Sequence, residues 1–255
     1  MKLSVVIPAH NEQECIESVL IRLSGELETN KIEYEIVVVN DNSTDKTAEI
    51  VASLAKINSR IRVINNQPPN GFGRAIRKGL ESFSGDIVVI CMGDDSDDPE
   101  DVVKYYQKIL EGYDCVFGSR FLKGSHVSGY PKLKLLLNRL GNKFIQLLFM
   151  INYNDTSNAF KAYRREAIQA VQPLVSQHFN ITVEIPLKAI VRGFSYAIVP
   201  INWQGRDSGV SKYRIKDLSR KYFFSILYVW LEKILLQEEI GKQLSLSRRR
   251  AVKPQ

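Results

Sequence analysis

Residues Val88–Glu100 read VVICMGDDSDDPE. The apolar run Ile87–Cys91 has the length and composition of a buried strand, and it stops abruptly at Gly93. Asp94, Asp95, Asp97 and Asp98 follow within five residues. Pro99 suits the first position of a helix, and Asp98 suits the cap before it. The acids therefore occupy a strand-to-helix turn. Carboxylates so close repel one another unless a cation shares the site. A hard divalent ion such as Mg2+ or Mn2+, with oxygen ligands and room for diphosphate oxygens, meets that need. A solvated acidic turn with Asp98 as a plain helix cap explains the same residues, so the rest of the chain must decide.

Upstream, strand-like and helical patterns alternate. Leu3–Ile7 is a β-rich run ending at Pro8, and Ile16, Val19, Leu20, Leu23 and Leu27 mark one face of a helix. Tyr34–Val39 predicts a second strand, followed by a helix from Asp45. Ile61–Ile64 predicts a third strand, Arg74–Phe83 a helix, Pro99 to Leu110 another, and Cys115–Gly118 a fifth strand. Short, nearly all-apolar strands alternating with helices predict an α/β fold: a mostly parallel, Rossmann-like sheet with helices on both faces. In such sheets ligands bind beyond the carboxyl ends of the strands. The polar turns after the first, second and fourth strands should then share one crevice. After Arg120 the alternation breaks down. Lys132–Ile151 reads as a helix, Asp155–Tyr163 as a short strand, Ile181–Val191 as a helix and Ser195–Ile201 as a strand. A Gly/Ser loop, Gly205–Lys212, leads to a long helical pattern, Ile215–Leu236.

Composition narrows the classes. The 255 residues suffice for one large domain. The net charge of +7 asks for an anionic partner, whether lipid phosphate, nucleotide or nucleic acid. Cys15, Cys91 and Cys115 lack metal-ligand spacing and read as reduced thiols of an intracellular protein. The N-terminus enters a strand directly, so no signal peptide is expected, and no apolar stretch reaches the roughly 18 residues of a spanning helix. His10, His126 and His178 are scattered and suggest no metal or triad chemistry.

Three kinds of nucleotide site compete. A P-loop sequence is missing, and the near match to a dinucleotide fingerprint, Gly71–Ile76, lacks its third glycine and follows the third strand. A nucleotide-sugar site needs a carboxylate for base or ribose, a metal for the diphosphate and cations for the acceptor. Asp41, the acidic turn and several Arg and Lys residues supply these, although Asp41 alone also reads as a turn or cap residue.

Six blocks then occur in order: VVIPAHNE (Val5–Glu12), VVVNDNSTDKTAEI (Val37–Ile50), GFGRAIRKGL (Gly71–Leu80), the Asp94–Pro99 turn, GSRF (Gly118–Phe121) and GRDSGVSK (Gly205–Lys212). Together they resemble the inverting family-2 glycosyltransferases of the GT-A fold, most closely the dolichol-phosphate mannose synthase branch, over roughly residues 3–213. The resemblance implies that Pro8, Ala9, Asn11, Glu12, Val39 and Asp41 line the nucleotide site, with Gly71 and Arg74 near base and ribose. It places Asp95 and Asp97 on metal positions. The family's first acid falls on Gly93, and Asp94 beside it is the substitute, which gives a metal set of Asp94, Asp95 and Asp97. Ser119 and Arg120 match the acceptor-phosphate segment. Lys134 stands where the branch has a second Arg. Arg206 and Lys212 match the cationic pair of the Gly-rich loop. The resemblance also implies that Asp155 and Ser157 border the sugar, in a segment that reads mainly as a structural strand and turn.

The implied chemistry suits this inventory. A lipid monophosphate is already an anion, so transfer to it needs positioning rather than a base. Arg120, Lys134, Arg206 and Lys212 would bring donor and acceptor phosphates together, with Asp95 at the metal. The expected partners are a GDP- or UDP-linked sugar and a polyprenyl phosphate, not nucleic acid. Transfer to a saccharide hydroxyl, with Asp98 or Glu184 as base, is a second reading. A nucleotide- or nucleic-acid-binding module is a third, against which the basic residues are too dispersed.

The expected layout is a catalytic domain over 1–213, an amphipathic helix over 214–240 and a disordered basic tail over 241–255. Within the helix, Tyr222–Leu236 is too short to span a bilayer, at about 1.5 Å per residue against roughly 30 Å. With Lys216, Arg220 and Lys221 before it, it can lie on anionic lipid, or pack on its own domain or a second copy. Leu147, Leu148, Phe149 and Met150 would add lipid-facing surface. A peripheral enzyme on the cytoplasmic face of a membrane is the expectation.

Overall fold

The computed structural model describes residues 1–205 and 220–236. Arg206 and Lys212 lie outside the described residues, as does the Gly/Ser loop beyond Gly205. The elements are, in order, β1 (Leu3–Ala9), α1 (Ile16–Thr29), β2 (Tyr34–Asn40), α2 (Thr47–Ile57), β3 (Ile61–Asn65), α3 (Phe72–Ser82), β4 (Ile87–Ile90), α4 (Pro99–Leu110) and β5 (Cys115–Ser119). There follow β6 (His126–Ser128), α5 (Lys132–Phe149), β7 (Lys161–Arg164), α6 (Arg165–Ala170), α7 (Ile181–Val191), β8 (Tyr196–Pro200), β9 (Asn202–Gln204) and a last helix, α8, over residues 220–236.

Seven strands form one sheet in the order β3-β2-β1-β4-β7-β5-β8. All neighbours are parallel except β7, which runs antiparallel to both β4 and β5. The mostly parallel sheet is as expected. The strand expected over Asp155–Tyr163 is not: 155–160 is irregular backbone with a turn at 156–157, and the strand is Lys161–Arg164. β7 fills the gap between β4 and β5 because the chain re-enters the sheet from its carboxyl edge.

The apolar runs are buried on both faces, as parallel strands require. On one side α1, α2 and α4 cover Val5, Ile7, Ile36 and Val38. On the other, α3, α6 and α7 cover Val6, Val37, Val39 and Val88. Gly79 lets α3 approach closely: a Cβ there would come within 2.3 Å of Val6 Cγ1. A third cluster joins α5, α7 and α8 through Ile145, Phe149, Val183, Leu187, Ile226 and Val229. One face of α8 thus packs on its own chain, while Phe223, Phe224, Tyr228, Leu231 and Leu235 stay exposed.

With β1 hydrogen-bonded between β2 and β4, the turns leaving these three strands emerge side by side. A small parallel ribbon of β6 and β9 lies across them. It is stapled to α4, whose buried Asp101 accepts the Asn202 N–H at 2.9 Å, while Asp98 accepts the Asn202 amide at 3.0 Å. An isolated bridge between Asp97 and Trp203 joins the ribbon to the acidic turn itself.

Candidate functional site

The acidic turn opens on a cleft of about 990 Å3, lined by Asn11–Cys15, Arg22, Asp45, Asp94–Asp98, Ser125–Ser128 and 202–205. The turns after β1, β2 and β4 therefore meet as expected. Helix α4 starts as its sequence predicts, with Pro99 in its first turn and the Asp98 side chain accepting the Glu100 N–H at 3.1 Å.

The four carboxylates of this turn do different things. Asp94 accepts the Ser96 hydroxyl at 2.6 Å and the Ser96 N–H at 3.2 Å. Asp97 is buried and accepts the Met92 N–H at 2.9 Å. Burial pushes its carboxyl up to about 7, and the charge of Asp94 adds to this against the Met92 hydrogen bond and the attraction of Arg120. Asp95 adopts a left-handed φ of 60° and pairs with Arg22 at 2.6 Å. The expected set Asp94, Asp95 and Asp97 is therefore not drawn together: among the described residues no group of three His, Cys, Asp or Glu side chains is poised around one point. Asp94 and Asp97 do fit a hard cation. A buried carboxylate whose proton affinity is raised further by the charge of Asp94 gains from a divalent ion between the two.

The implied nucleotide residues split. Asn11 and Glu12 line the cleft. Asn11 Oδ1 accepts the Thr44 N–H at 2.8 Å, and the Glu12 N–H donates to Thr47 Oγ1 at 2.9 Å. Pro8, Ala9 and Val39 are buried in the strands, and the Ala9 and Val39 side chains pack in the two cores. Such residues offer a ligand only their backbone edges. Asp41 is buried as well, and its oxygens accept the Gly71 N–H and the Asn66 amide, both at 2.8 Å. It ties the end of β2 to the start of α3. Arg74 donates to Gln177 Oε1 at 2.6 Å.

Arg120 is the largest departure from expectation. Its Nε and Nη2 reach the two oxygens of Asp155 at 2.8 and 2.7 Å, and its backbone N–H adds a third bond at 3.0 Å. The side chain is 8% exposed and Asp155 is fully buried. Asp155 holds the guanidinium proton affinity above its usual value despite burial. The rings of Tyr130, Trp203 and Phe121 stand 5.3, 5.5 and 5.6 Å from the guanidinium carbon. As an acceptor-phosphate ligand, Arg120 would have to share a fork already filled. Ser119 is buried too, donating to Asn154 at 2.6 Å. Lys134 lies exposed in the first turn of α5.

Several residues near the site carried no clear signal in the sequence. Arg22 sits among exposed positions of α1 and reads as surface charge. Lys161 is buried and donates to the carbonyls of Thr156 and Thr182 at 3.0 and 3.1 Å, and also to that of Asn158. Burial pulls its amine down to about 7, although the Asp155 charge opposes this. A lysine inside the apolar run AFKAY was the visible hint. Asp98 and Glu184, the alternative bases, are both engaged. Asp98 caps α4 and holds Asn202. Glu184 is fully buried, accepting the Val175 and Ser176 N–H groups at 2.9 and 2.8 Å beside Lys188.

An acidic strand-to-helix turn facing a cleft at the carboxyl edge of such a sheet is the architecture of a GT-A glycosyltransferase. Residues 4–172 match the glycosyl transferase family 2 pattern, and the chain belongs to that family. It is 32% identical over 223 residues to the dolichol-phosphate mannosyltransferase of Pyrococcus furiosus, covering 86% of this chain. The chain spans 61% of the length of that relative. It is 28% identical over 216 residues to the polyprenol monophosphomannose synthase of Mycolicibacterium smegmatis, covering 82% of this chain and 79% of the relative. Among solved structures it resembles glucosyl-3-phosphoglycerate synthase from Mycobacterium tuberculosis in complex with Mn2+, UDP-glucose and phosphoglyceric acid. There the TM-score is 0.68 at 21% identity, over 90% of this chain and 79% of the other.

Proposed function

We propose that the protein transfers a hexose, of mannose or glucose type, from a GDP- or UDP-linked donor to a polyprenyl phosphate, with inversion at the anomeric carbon. One observation carries this reading: the two acids a hydroxyl acceptor would call on as base are both engaged, Asp98 in capping α4 and holding Asn202 and Glu184 in accepting the Val175 and Ser176 N–H groups. An acceptor that is already ionised needs none. The relatives named for polyprenol and dolichol phosphate point the same way.

In this reaction an oxygen of the lipid phosphate forms a bond to the anomeric carbon as the bond to the nucleoside diphosphate breaks, and the electron pair leaves on the diphosphate. Mg2+ or Mn2+ would neutralise that leaving charge. Asp94 and Asp97 would hold the ion, joined by Asp95 once it lets go of Arg22. Asn11 and Glu12 would position the donor from the first turn. Asp41 would shape the base and ribose pocket through its clasp on Gly71, with Arg74 at its mouth. Arg206 and Lys212 would close over the donor diphosphate. The β6–β9 ribbon and the Arg120–Asp155 pair would wall off water on the acceptor side.

The catalytic unit in this proposal is 1–213. α8 and the exposed side of α5 would rest on the cytoplasmic face of a membrane, where the acceptor resides, unless they bury the same surface in a homodimer. No helix among the described residues is long and apolar enough to cross a membrane. The test is a panel of sugar nucleotides with short polyprenyl phosphates, with and without Mn2+. Labelled sugar that extracts into organic solvent as an acid-labile lipid is expected. Label appearing only on a saccharide acceptor would overturn the proposal.

A further inference from the structure

We propose that Gln177 is a positioning residue for the nucleotide end of the donor, and that helix α8 fixes it there through Asn180 and Ser225. The inference rests on the nucleotide-sugar reading, in which Asp41, Gly71 and Arg74 shape the base and ribose pocket.

Residues 174–180, between α6 and α7, pack against the first turns of α3. The Gln177 carbonyl accepts the Arg74 N–H at 3.3 Å, and Gln177 Oε1 accepts from Arg74 Nη2 at 2.6 Å. Arg77 Nη1 donates to the Leu174 carbonyl at 2.9 Å. The Phe72 and Phe179 rings stack with their centres 3.7 Å apart. Backbone meets backbone here. A Cβ at Gly71 would come within 2.5 Å of the Gln177 oxygen, and one at Gly73 within 2.7 Å of His178 N and O. Gly71 also donates its N–H to Asp41 at 2.8 Å. The segment thus completes a clasp that runs from Asp41 through Gly71 and Arg74 to Gln177, and it sets where the Arg74 guanidinium stands. The Gln177 side chain is itself exposed, so packing the core is not its role.

The other side of the segment is tied to α8. The Asn180 amide donates to Ser176 Oγ at 2.8 Å and to Ser225 Oγ at 2.7 Å, and the two hydroxyls lie 3.1 Å apart. All three residues are buried, and Ser225 belongs to α8. An apolar contact tolerates a small slide. A buried polar network does not, because a member that moves strands its partners without water. His178 lies between the two helices. Burial, then the charges of Lys221 on α8 and Arg74 on α3, pull its imidazole below the usual range, and Asp41 opposes them. A shift of α8 therefore reaches the pocket in two steps, from Ser225 to Asn180 and from the backbone of 176–179 to Arg74.

The full-length protein is compared with its Gln177→Ala, Gln177→Glu, Ser225→Ala and Ile109→Val variants. The measurements are calorimetric binding of GDP and of UDP with Mn2+, urea unfolding, and hydrogen exchange with and without nucleotide. Gln177→Ala is expected to weaken nucleotide binding roughly threefold to tenfold, the range of one hydrogen bond, with unfolding unchanged. Gln177→Glu keeps an acceptor for Arg74 and should recover most of the loss. Ser225→Ala should weaken binding roughly twofold to fivefold. Ile109→Val trims the core on the opposite face of the sheet and should lower stability without moving affinity. Nucleotide should slow exchange in 174–180 and in 220–236 of the wild type, as reciprocal coupling requires. The effect on 220–236 should vanish in Ser225→Ala. Unchanged affinity in Gln177→Ala overturns the positioning role. Lower stability with unchanged affinity in Ser225→Ala overturns the link to α8, as does α8 exchange indifferent to nucleotide. If the wild type binds nucleotide and every variant matches it, this inference alone fails. If it binds neither GDP nor UDP, the donor reading fails and carries this inference with it.

Discussion

Asp95 and Arg22 meet at 2.6 Å, and this contact turns one carboxylate of the acidic turn toward helix α1. The left-handed backbone at Asp95 is what aims the side chain outward. Its neighbours Asp94 and Asp97 are held instead by Ser96 and Met92.

In the proposed metal site Arg22 would compete with a divalent ion for Asp95. Both side chains are at least one-third exposed, so the pair is worth no more than about 1 kcal/mol. Arg22→Gln should tighten Mn2+ binding up to about fivefold, read by calorimetry in the presence of nucleoside diphosphate. Asp95→Ala should weaken it. Equal Mn2+ affinity in both variants and wild type would remove Asp95 from the metal site.

Asp97 ties stability to pH. Its folded carboxyl is pushed up to about 7 from a reference of 3.8, chiefly by burial. Below both values the group is neutral in either state and contributes nothing. As pH rises, the unfolded chain ionises first, so this residue's contribution falls until the folded group also ionises, and is then constant. Asp97→Asn should raise metal-free stability at pH 8 by a few kcal/mol at most, with the gain shrinking toward pH 4. The same variant should lose stabilisation by Mn2+ plus nucleotide. Thermal melts across pH, with and without Mn2+, check both halves.

The Arg120–Asp155 pair is buried, and removing either partner strands a charge. Arg120→Met and Asp155→Leu should each cost about 3–5 kcal/mol in urea unfolding. The double variant should cost much less than the two together. Strict additivity would show that the pair does not act as a unit.

Leu136 and Leu140 protrude from α5 at 56% and 59% exposure. Replacing both with Glu should leave unfolding free energy within about 1 kcal/mol, as each exposed position contributes little. Sedimentation with anionic vesicles should fall sharply. Retained vesicle binding would shift the membrane contact to α8 or remove it.

Arg206→Ala should cut turnover more than donor affinity, as its implied place in the Gly-rich loop requires. Its role rests on sequence alone, since it lies outside the described residues. Steady-state kinetics with the preferred donor give the split.

Helix α7 was legible to the residue, Ile181–Val191, because its apolar run has clear ends. The start of α4 was equally plain, since a cap and a proline announce it locally. β7 was misplaced because a four-residue strand with a buried lysine carries almost no periodic signal. The pairing of Arg120 is invisible in GSRF, because its partner Asp155 stands 35 positions away.

Sequence by itself determined the alternation of strands and helices, the acidic turn and its capped helix, and the motif order that marks the family. Each depends on neighbours along the chain or on a pattern repeated within it. Tertiary structure alone decided which carboxylates are buried, which are already engaged and which cations are already neutralised. Those outcomes depend on charges brought together across the sheet and on the solvent each one loses, and neither is encoded in spacing.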